Sequence, residues 1–213
     1  MSKDLLWRIG EDYEGSPLDP ASCDPDPIVE ARRWMKMAVD GGIATPNAMT
    51  LATVDDRGRP AARIVLLKEI DDRGFVFYTN YDSRKGRDLA AHPFAALVLY
   101  WEPLHRQLRV EGAIERVTAA ESDAYFASRP HGSRIGAAAS PQSQVIASRA
   151  PLEQAVAKLS AQYPDVVPRP AHWGGFRVVP DAVELWQGQP SRLHDRVRYR
   201  LANGAWLRER LAP

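Results

Sequence analysis

Apolar and polar positions change period along this chain. Ile28, Ala31, Trp34, Met35, Ala38 and Val39 recur at steps of three and four, the period of one helix face. Asp26 can cap that helix, Pro27 suits its first turn, and Gly41-Gly42 ends it. Residues 1–24, with SPLDPASCDPD, show no such period; they are polar and turn-rich and are predicted to form a flexible N-terminal arm.

The pattern then turns to strands. MTLATV (49–54), ARIVLLKEI (62–70) and GFVFYTN (74–80) are rich in β-branched and aromatic residues. DDRG follows the first two, at 55–58 and 71–74, and offers a glycine for positive φ, so the three segments predict an antiparallel meander. SRKGRDLAAH (83–92) predicts a short helix, and FAALVLYW (94–101) and RQLRVEGAIERV (106–117) two strands. TAAESDAYFASR (118–129) predicts a helix with a Thr118/Glu121 capping box, stopped by Pro130. Another helix is expected to begin near Ser133, and a third over PLEQAVAKLSAQY (151–163). GGFRVVP, AVELWQG and RVRYRLA read as closing strands, with GAWLRERL as their partner. Helices follow only some strands, and a parallel sheet needs a crossover after nearly every one. The expected class is mainly β, an antiparallel barrel with flanking α helices, in one domain over 25–213.

Composition narrows the partners. The 28 Lys+Arg and 27 Asp+Glu nearly cancel, against a nucleic-acid role. Cys23 is the only cysteine, so no internal disulfide can form and a reducing, cytoplasmic compartment is expected. Neither a signal-peptide pattern nor a membrane-length apolar run is present. The five histidines are scattered without a pair at ligand spacing, and no metal site is expected.

Several clusters could carry chemistry. RIVLLK (63–68) is an apolar strand bounded by two cations: either a buried strand with charged rims, or a strand at which Arg63 and Lys68 serve anions. Strand alternation puts these two on opposite faces, so two anions or a bulge would be needed. In YTNYDSRKG (78–86), a strand ends at Tyr78-Thr79 and a helix starts near Ser83-Arg84-Lys85. Free N–H groups and two cations there make a phosphate site; the alternative is a solvated basic first turn, which the helix dipole disfavours. Tyr125 and Arg129 share a helix face, and Ser133 can sit at the next helix start, so the three could wrap a phosphate monoester or simply lie exposed. In the polar turn PQSQ, Gln142 and Ser143 could bind a heterocycle or a phosphate. WQGQPSRLHDR (186–196) crowds Arg192, His194, Asp195 and Arg196 together, as a solvated loop, a polyanion patch or one wall of a small-molecule site. With no nucleophile elbow, Gly-rich dinucleotide loop or paired catalytic carboxylates, any chemistry must come from a bound cofactor.

RIVLLK, FYTNYDSRKG, RQLRVEG, YFASRP, SPQSQ, WGGFRV, LWQGQPSRLHDR and the terminal RLAP, in this order from about residue 46 to the end, resemble the pyridoxamine 5′-phosphate oxidases. The resemblance implies a homodimer of split β-barrels with two FMN in clefts at the subunit interface. It implies oxidation of pyridoxamine or pyridoxine 5′-phosphate to pyridoxal 5′-phosphate, with O2 giving hydrogen peroxide. By motif position, FMN contacts are implied for Arg63, Ile64, Val65, Leu66, Leu67, Lys68, Tyr78 and Thr79. Arg84, Lys85, Gln107, Gln142, Ser143, Trp186 and Arg196 complete that set. Lys68, Tyr125, Arg129 and Ser133 are implied to hold the substrate phosphate, and Arg192, Leu193 and His194 to cover its ring, with Arg192 and His194 as the catalytic pair. Arg63 would then serve the cofactor phosphate and Lys68 the substrate phosphate. Two places depart from the family pattern. Arg8 and Tyr13 stand five apart where relatives carry an Arg and Tyr three apart, and Ala138 stands where relatives often have an aromatic. A related FMN oxidase of another reduced heterocycle, of phenazine type, or a non-catalytic FMN or pyridoxal-phosphate binding protein are the alternatives.

Overall fold

A computed structural model describes residues 12–213, so Arg8 lies outside the described residues. The helices are α1 (Pro27–Asp40), α2 (Arg84–Ala91), α3 (Ala119–Ser128), α4 (His131–Ala139) and α5 (Ala150–Gln162). The strands are β1 (Ala48–Val54), β2 (Pro60–Leu66), β3 (Glu69–Asp71), β4 (Gly74–Asn80), β5 (Phe94–Trp101), β6 (Arg106–Arg116), β7 (Trp173–Gln187), β8 (Asp195–Ala202) and β9 (Ala205–Leu211). They pair in the order β2-β1-β5-β6-β7-β4-β3, with β8 on β7 and β9 on β8. Among the described residues no helix is long and apolar enough to cross a membrane.

Local chemistry sets the helix ends. The Asp26 carboxylate accepts from Ile28 N–H at 2.8 Å, and the Thr118/Glu121 capping box is complete. Ser83 caps α2 by accepting from Gly86 N–H at 3.3 Å. Gly86 is required there, because a Cβ would lie 2.0 Å from the Tyr81 carbonyl oxygen.

Two strand expectations need correction. ARIVLLKEI is not one strand: β2 ends at Leu66 and β3 begins at Glu69, and these two strands stand at opposite ends of the strand order. The break falls at Leu67-Lys68, where Leu67 is buried and Lys68 N–H donates to the Val76 carbonyl at 2.8 Å. Arg63 and Lys68 therefore belong to different strand environments, and the alternation argument does not apply to them. Conversely, GGFRVVP and AVELWQG are one strand, β7. Its first half pairs antiparallel with β4 up to Val178, and its second half with β8 from Ala182 onward. Pro180 falls in the gap between these two ladders, so its missing N–H costs neither of them a bond.

The chain divides into two compact units. A central unit comprises Thr50–Ala96 and Glu111–Pro180, and a terminal unit comprises the chain up to Met49 with Leu97–Val110 and Asp181–Pro213. The central unit buries Phe75, Phe77, Leu89, Phe126, Trp173 and Phe176. It also buries Arg177, 1% exposed, whose guanidinium donates to the carboxylates of Asp71, Glu115 (2.8 Å) and Glu121 (2.8 Å). Three carboxylates on one buried cation satisfy its donors and keep it charged. The terminal unit buries Trp34, Leu99, Trp101, Leu108, Leu185 and Tyr199. The described part of the expected arm packs within it. Leu18 and Cys23 are buried, Tyr199 Oη donates to the Asp24 carbonyl at 2.7 Å, and Arg208 Nη1 to the Pro20 carbonyl at 2.8 Å.

Candidate active site

The central unit holds a cavity of about 700 Å³, within the usual size of small-ligand pockets. Six elements shape it. The end of β2 contributes Ile64, Val65 and Leu66, and Lys68 follows in the break. From β4 come Tyr78 and Thr79, from α2 Lys85, and from the α3–α4 corner Tyr125, Arg129 and Ser133. Gln142 closes one side, and Trp173 at the start of β7 another. Tyr78 stacks on Tyr125 with ring centroids 4.1 Å apart and on Trp173 at 5.6 Å, giving flat apolar faces. Gly175 makes this possible, since a Cβ there would come within 2.8 Å of the Tyr78 ring.

The cavity's cations lack acidic partners. Among the described residues no carboxylate lies within ion-pair distance of Lys68, Lys85 or Arg129. Lys85 Nζ instead donates to the Gln142 side-chain oxygen at 2.8 Å and to Ser83 Oγ at 3.2 Å. Burial, and then the nearby Arg63 charge, lower its pKa to about 8. Arg129 lies with its guanidinium 4.8 Å from the Trp173 ring, and its Nη1 is buried without a hydrogen-bond partner. Burial lowers its pKa as well. Lys68 Nζ stands 5.8 Å from the Tyr125 ring centroid. A buried guanidinium donor left unpaired costs free energy unless an anion completes it. These donors and flat faces fit a ligand set with phosphate groups and a planar ring, as FMN and a pyridine phosphate ester would supply.

The terminal unit carries a second group. Trp186 and His194 have ring centroids 4.6 Å apart, and Tyr13 packs edge-on against His194 (5.4 Å), Trp186 (5.6 Å) and His105 (5.0 Å). Gln189 N–H donates to His194 Nδ1 at 3.1 Å. Burial first, then the Arg192 charge, push the His194 pKa below its ordinary value, with Asp12 opposing. Arg192 closes a short 3-10 turn, Pro190–Arg192, in which Ser191 and Arg192 both have positive φ, 57° and 64°. Two successive left-handed non-glycine residues store strain, which the Asp12 carboxylate helps hold by accepting from Ser191 N–H at 2.9 Å. The segment is therefore not extended at Arg192, as a shared face for Arg192 and His194 would require. Leu193 is 70% exposed.

The structure thus brings together Ile64, Val65, Leu66, Lys68, Tyr78, Thr79, Lys85, Tyr125, Arg129, Ser133 and Gln142. Leu67 is buried beside the cavity rather than lining it. Arg63 sits behind it, donating to Thr53 Oγ1 at 2.7 Å and the Leu51 carbonyl at 3.2 Å, with Asp88 at 3.4 Å. Arg84 is exposed and 4.0 Å from Asp55, and Ser143 is exposed with φ 71°. Gln107, Trp186, Arg192, Leu193, His194 and Arg196 belong to the terminal unit and do not line this cavity. Arg196 there is held by Glu184 through two hydrogen bonds, 2.9 and 3.1 Å. Sequence reasoning assigned no contact to Trp173, Asn80 or Ser140, which line the cavity. The signal for Trp173 was the Trp-Gly-Gly run, where two missing side chains leave room for rings. Nor did it assign one to Tyr13, whose contacts are all to distant segments.

The fold and this site define an FMN-binding split-barrel class. A pyridoxamine 5′-phosphate oxidase-related, FMN-binding protein from Nostoc punctiforme superposes with a TM-score of 0.70 at 19% identity, over 85% of this chain and 96% of that one, a likeness of fold. PhzG from Burkholderia lata, solved with tetrahydrophenazine-1-carboxylic acid, superposes at 0.89 with 31% identity, over 93% and 99%. The expected antiparallel split barrel is borne out. The family model for pyridoxamine 5′-phosphate oxidase matches residues 35–163, and that for the pyridoxine 5′-phosphate oxidase C-terminal dimerisation region matches 173–213. The pyridoxine/pyridoxamine 5′-phosphate oxidase of Thermosynechococcus vestitus is 58% identical over 211 residues, 98% of this chain and 100% of that protein. The protein of that name in Paraburkholderia phymatum is 56% identical over 209 residues, 98% and 99%. This chain belongs to the pyridoxamine 5′-phosphate oxidase family.

Proposed function

We propose that this protein is an FMN-dependent oxidase that converts pyridoxamine 5′-phosphate and pyridoxine 5′-phosphate to pyridoxal 5′-phosphate, with O2 as acceptor, in vitamin B6 biosynthesis or salvage. The observation that carries this reading is the set of carboxylate-free cations in one cavity, above all the buried, unpartnered Arg129 Nη1. FMN held there would supply the redox chemistry, transfer of a hydride equivalent from the substrate and reduction of O2 to hydrogen peroxide, and with the amine substrate water would hydrolyse the resulting imine to release ammonia.

The chain's own residues bind and orient. Lys85, with Arg63 behind it, neutralises the cofactor phosphate, and the backbone of residues 63–68 with Tyr78, Thr79, Arg84, Gln142 and Ser143 frames the flavin. Lys68, Tyr125, Arg129 and Ser133 hold the substrate phosphate; a guanidinium and a hydroxyl provide directional donors, an ammonium a compact charge. Arg192 and His194 cover the substrate ring, and Gln107, Trp186 and Arg196 complete the flavin site. A homodimer with FMN in clefts at the subunit interface presents a copy of this second group to each cavity. The dimerisation region matched at 173–213 supports that arrangement, because it contains Trp186, Arg192, His194 and Arg196.

The phenazine-type alternative has the 31% identical PhzG in its favour. Four donors suited to a phosphate ester, and identities of 56–58% over nearly the whole chain to the vitamin B6 oxidases, favour the pyridoxine substrates. The test is the visible spectrum of the purified protein. Flavin absorption should bleach when pyridoxamine 5′-phosphate is added without oxygen, and peroxide should appear in air. Flavin that binds but stays oxidised would refute turnover and favour a binding protein.

A further inference from the structure

Asp195 is the one charged residue between Arg192 and Arg196 without a role in the reading above. Its carboxylate is ringed by donors of the terminal unit. Oδ2 accepts from Leu18 N–H and from Gln189 Nε2, each at 3.0 Å, and Oδ1 from Arg210 Nη1 at 2.5 Å. The Gln189 amide also donates to the Ser16 carbonyl at 3.2 Å. Gln189 is therefore gripped from both sides by its side chain, which places its backbone.

That backbone meets the histidine. Gln189 N–H lies 3.1 Å from His194 Nδ1, and a backbone amide can only donate. Nδ1 must then hold the lone pair, so the proton of the neutral imidazole sits on Nε2. Protonating the ring would set one N–H against another and break this bond. The burial and the Arg192 charge that lower the His194 pKa act in the same direction. Trp186 and Tyr13 pack on the ring and limit its rotation.

We propose that Asp195 and Gln189 are positioning residues that hold His194 in its Nε2–H form, so that it meets the substrate as a hydrogen-bond donor to the phenolic oxygen of the pyridine ring and not as a base. The identity of that acceptor rests on the oxidase reading; the tautomer does not.

The test uses FMN-loaded enzyme with ¹⁵N-labelled histidine, the His194 signals being assigned by their loss in His194→Ala. In the wild type at pH 7, His194 should be neutral with the proton on Nε2. Asp195→Ala should give mixed tautomers and lower kcat per bound flavin about tenfold, with flavin content unchanged. Gln189→Ala, which removes no charge, should do the same, and also serves if Asp195→Ala does not fold. The double variant should be no worse than either single one, as expected of residues acting through one link. Asp195→Asn keeps an oxygen towards Gln189 and should rescue both tautomer and turnover. Protonation at Nδ1 in the wild type, or an unchanged tautomer in both alanine variants, would overturn the proposal. The Nε2–H form in a protein that oxidises neither phosphate ester would uphold the positioning and sink the oxidase reading.

Discussion

In the central unit, Lys68, Lys85 and Arg129 line one cavity, and among the described residues none of them has a carboxylate within ion-pair distance. In the terminal unit, Glu184 takes Arg196 at 2.9 Å and Arg109 at 3.2 Å, and Asp195 takes Arg210. Both units are rich in arginine, and Arg177 in the central one is paired as Arg196 is in the terminal one; the cavity cations differ. A cation already paired holds the fold together; a cation left unpaired in a partly desolvated pocket is ready for an anion from outside. The central cavity is thus prepared for phosphates. In the terminal group Arg196 is held by Glu184 and His194 lies below its ordinary pKa, which on the proposed reading suits it to an uncharged ring.

That contrast can be broken experimentally, and the largest effect is expected at a paired cation. Arg177→Ala removes the buried cation that three carboxylates share, although Arg73 stays near Glu115 and Glu121, and should cost about 3 kcal/mol of stability, read as a lower midpoint in denaturant. The same cluster gives an acid signature. Hydrogen bonds from Thr118, then Arg177, hold the Glu121 carboxyl down to about 2, so its stabilisation is present above the ordinary glutamate range and is lost as pH falls through the folded value. In Arg177→Ala, acid unfolding should therefore begin at higher pH. Were Arg177→Ala as stable as the wild type, the rule that paired cations serve stability would fail.

Next in size is His194→Ala. It should lower kcat on the order of a hundredfold while the protein stays yellow, because the proposed function places the residue on the substrate ring and not on the flavin. Loss of flavin with normal turnover per remaining flavin would move His194 to the cofactor. Arg129→Ala should raise KM for pyridoxine 5′-phosphate by about 2 kcal/mol, roughly thirtyfold, as expected for a lost charge-assisted bond. Its melting temperature should not fall, since no carboxylate is abandoned. A large loss of stability would mean that Arg129 is paired after all.

The smallest effect concerns Lys85. Its pKa of about 8 means that the ammonium is lost as pH rises through that value, so FMN affinity should weaken between pH 8 and 9.5, by no more than about tenfold per pH unit. Fluorescence titration with FMN would show it. Lys85→Arg should remove the decline, and Lys85→Ala should weaken FMN binding at all pH values. A flat profile in the wild type would place the cofactor phosphate elsewhere.

Much of this was legible from spacing alone. The caps at Asp26 and Thr118, the two DDRG turns and the helix after Ser83 depend on residues within a few positions of each other, and all formed as expected. The cavity residues were legible through the order of their motifs. Pairing was not. The break at Leu67-Lys68 and the continuity of β7 through Pro180 depend on which strand lies alongside, and a run of apolar residues carries no record of its neighbour. The pairing of Arg196 with Glu184 was not legible either, because the two lie across the β7–β8 ladder.

By itself the sequence determined the helices, the turns, the mainly antiparallel class and the family, because these rest on local periodicity and on motif order. Only the tertiary structure decided which cations are paired and which are open. Arg177 takes its carboxylates from 56, 62 and 106 residues away, and Asp195 takes a backbone donor from 177 away. Electrostatic energy depends on distance in space and on local desolvation, and neither can be read from positions along the chain.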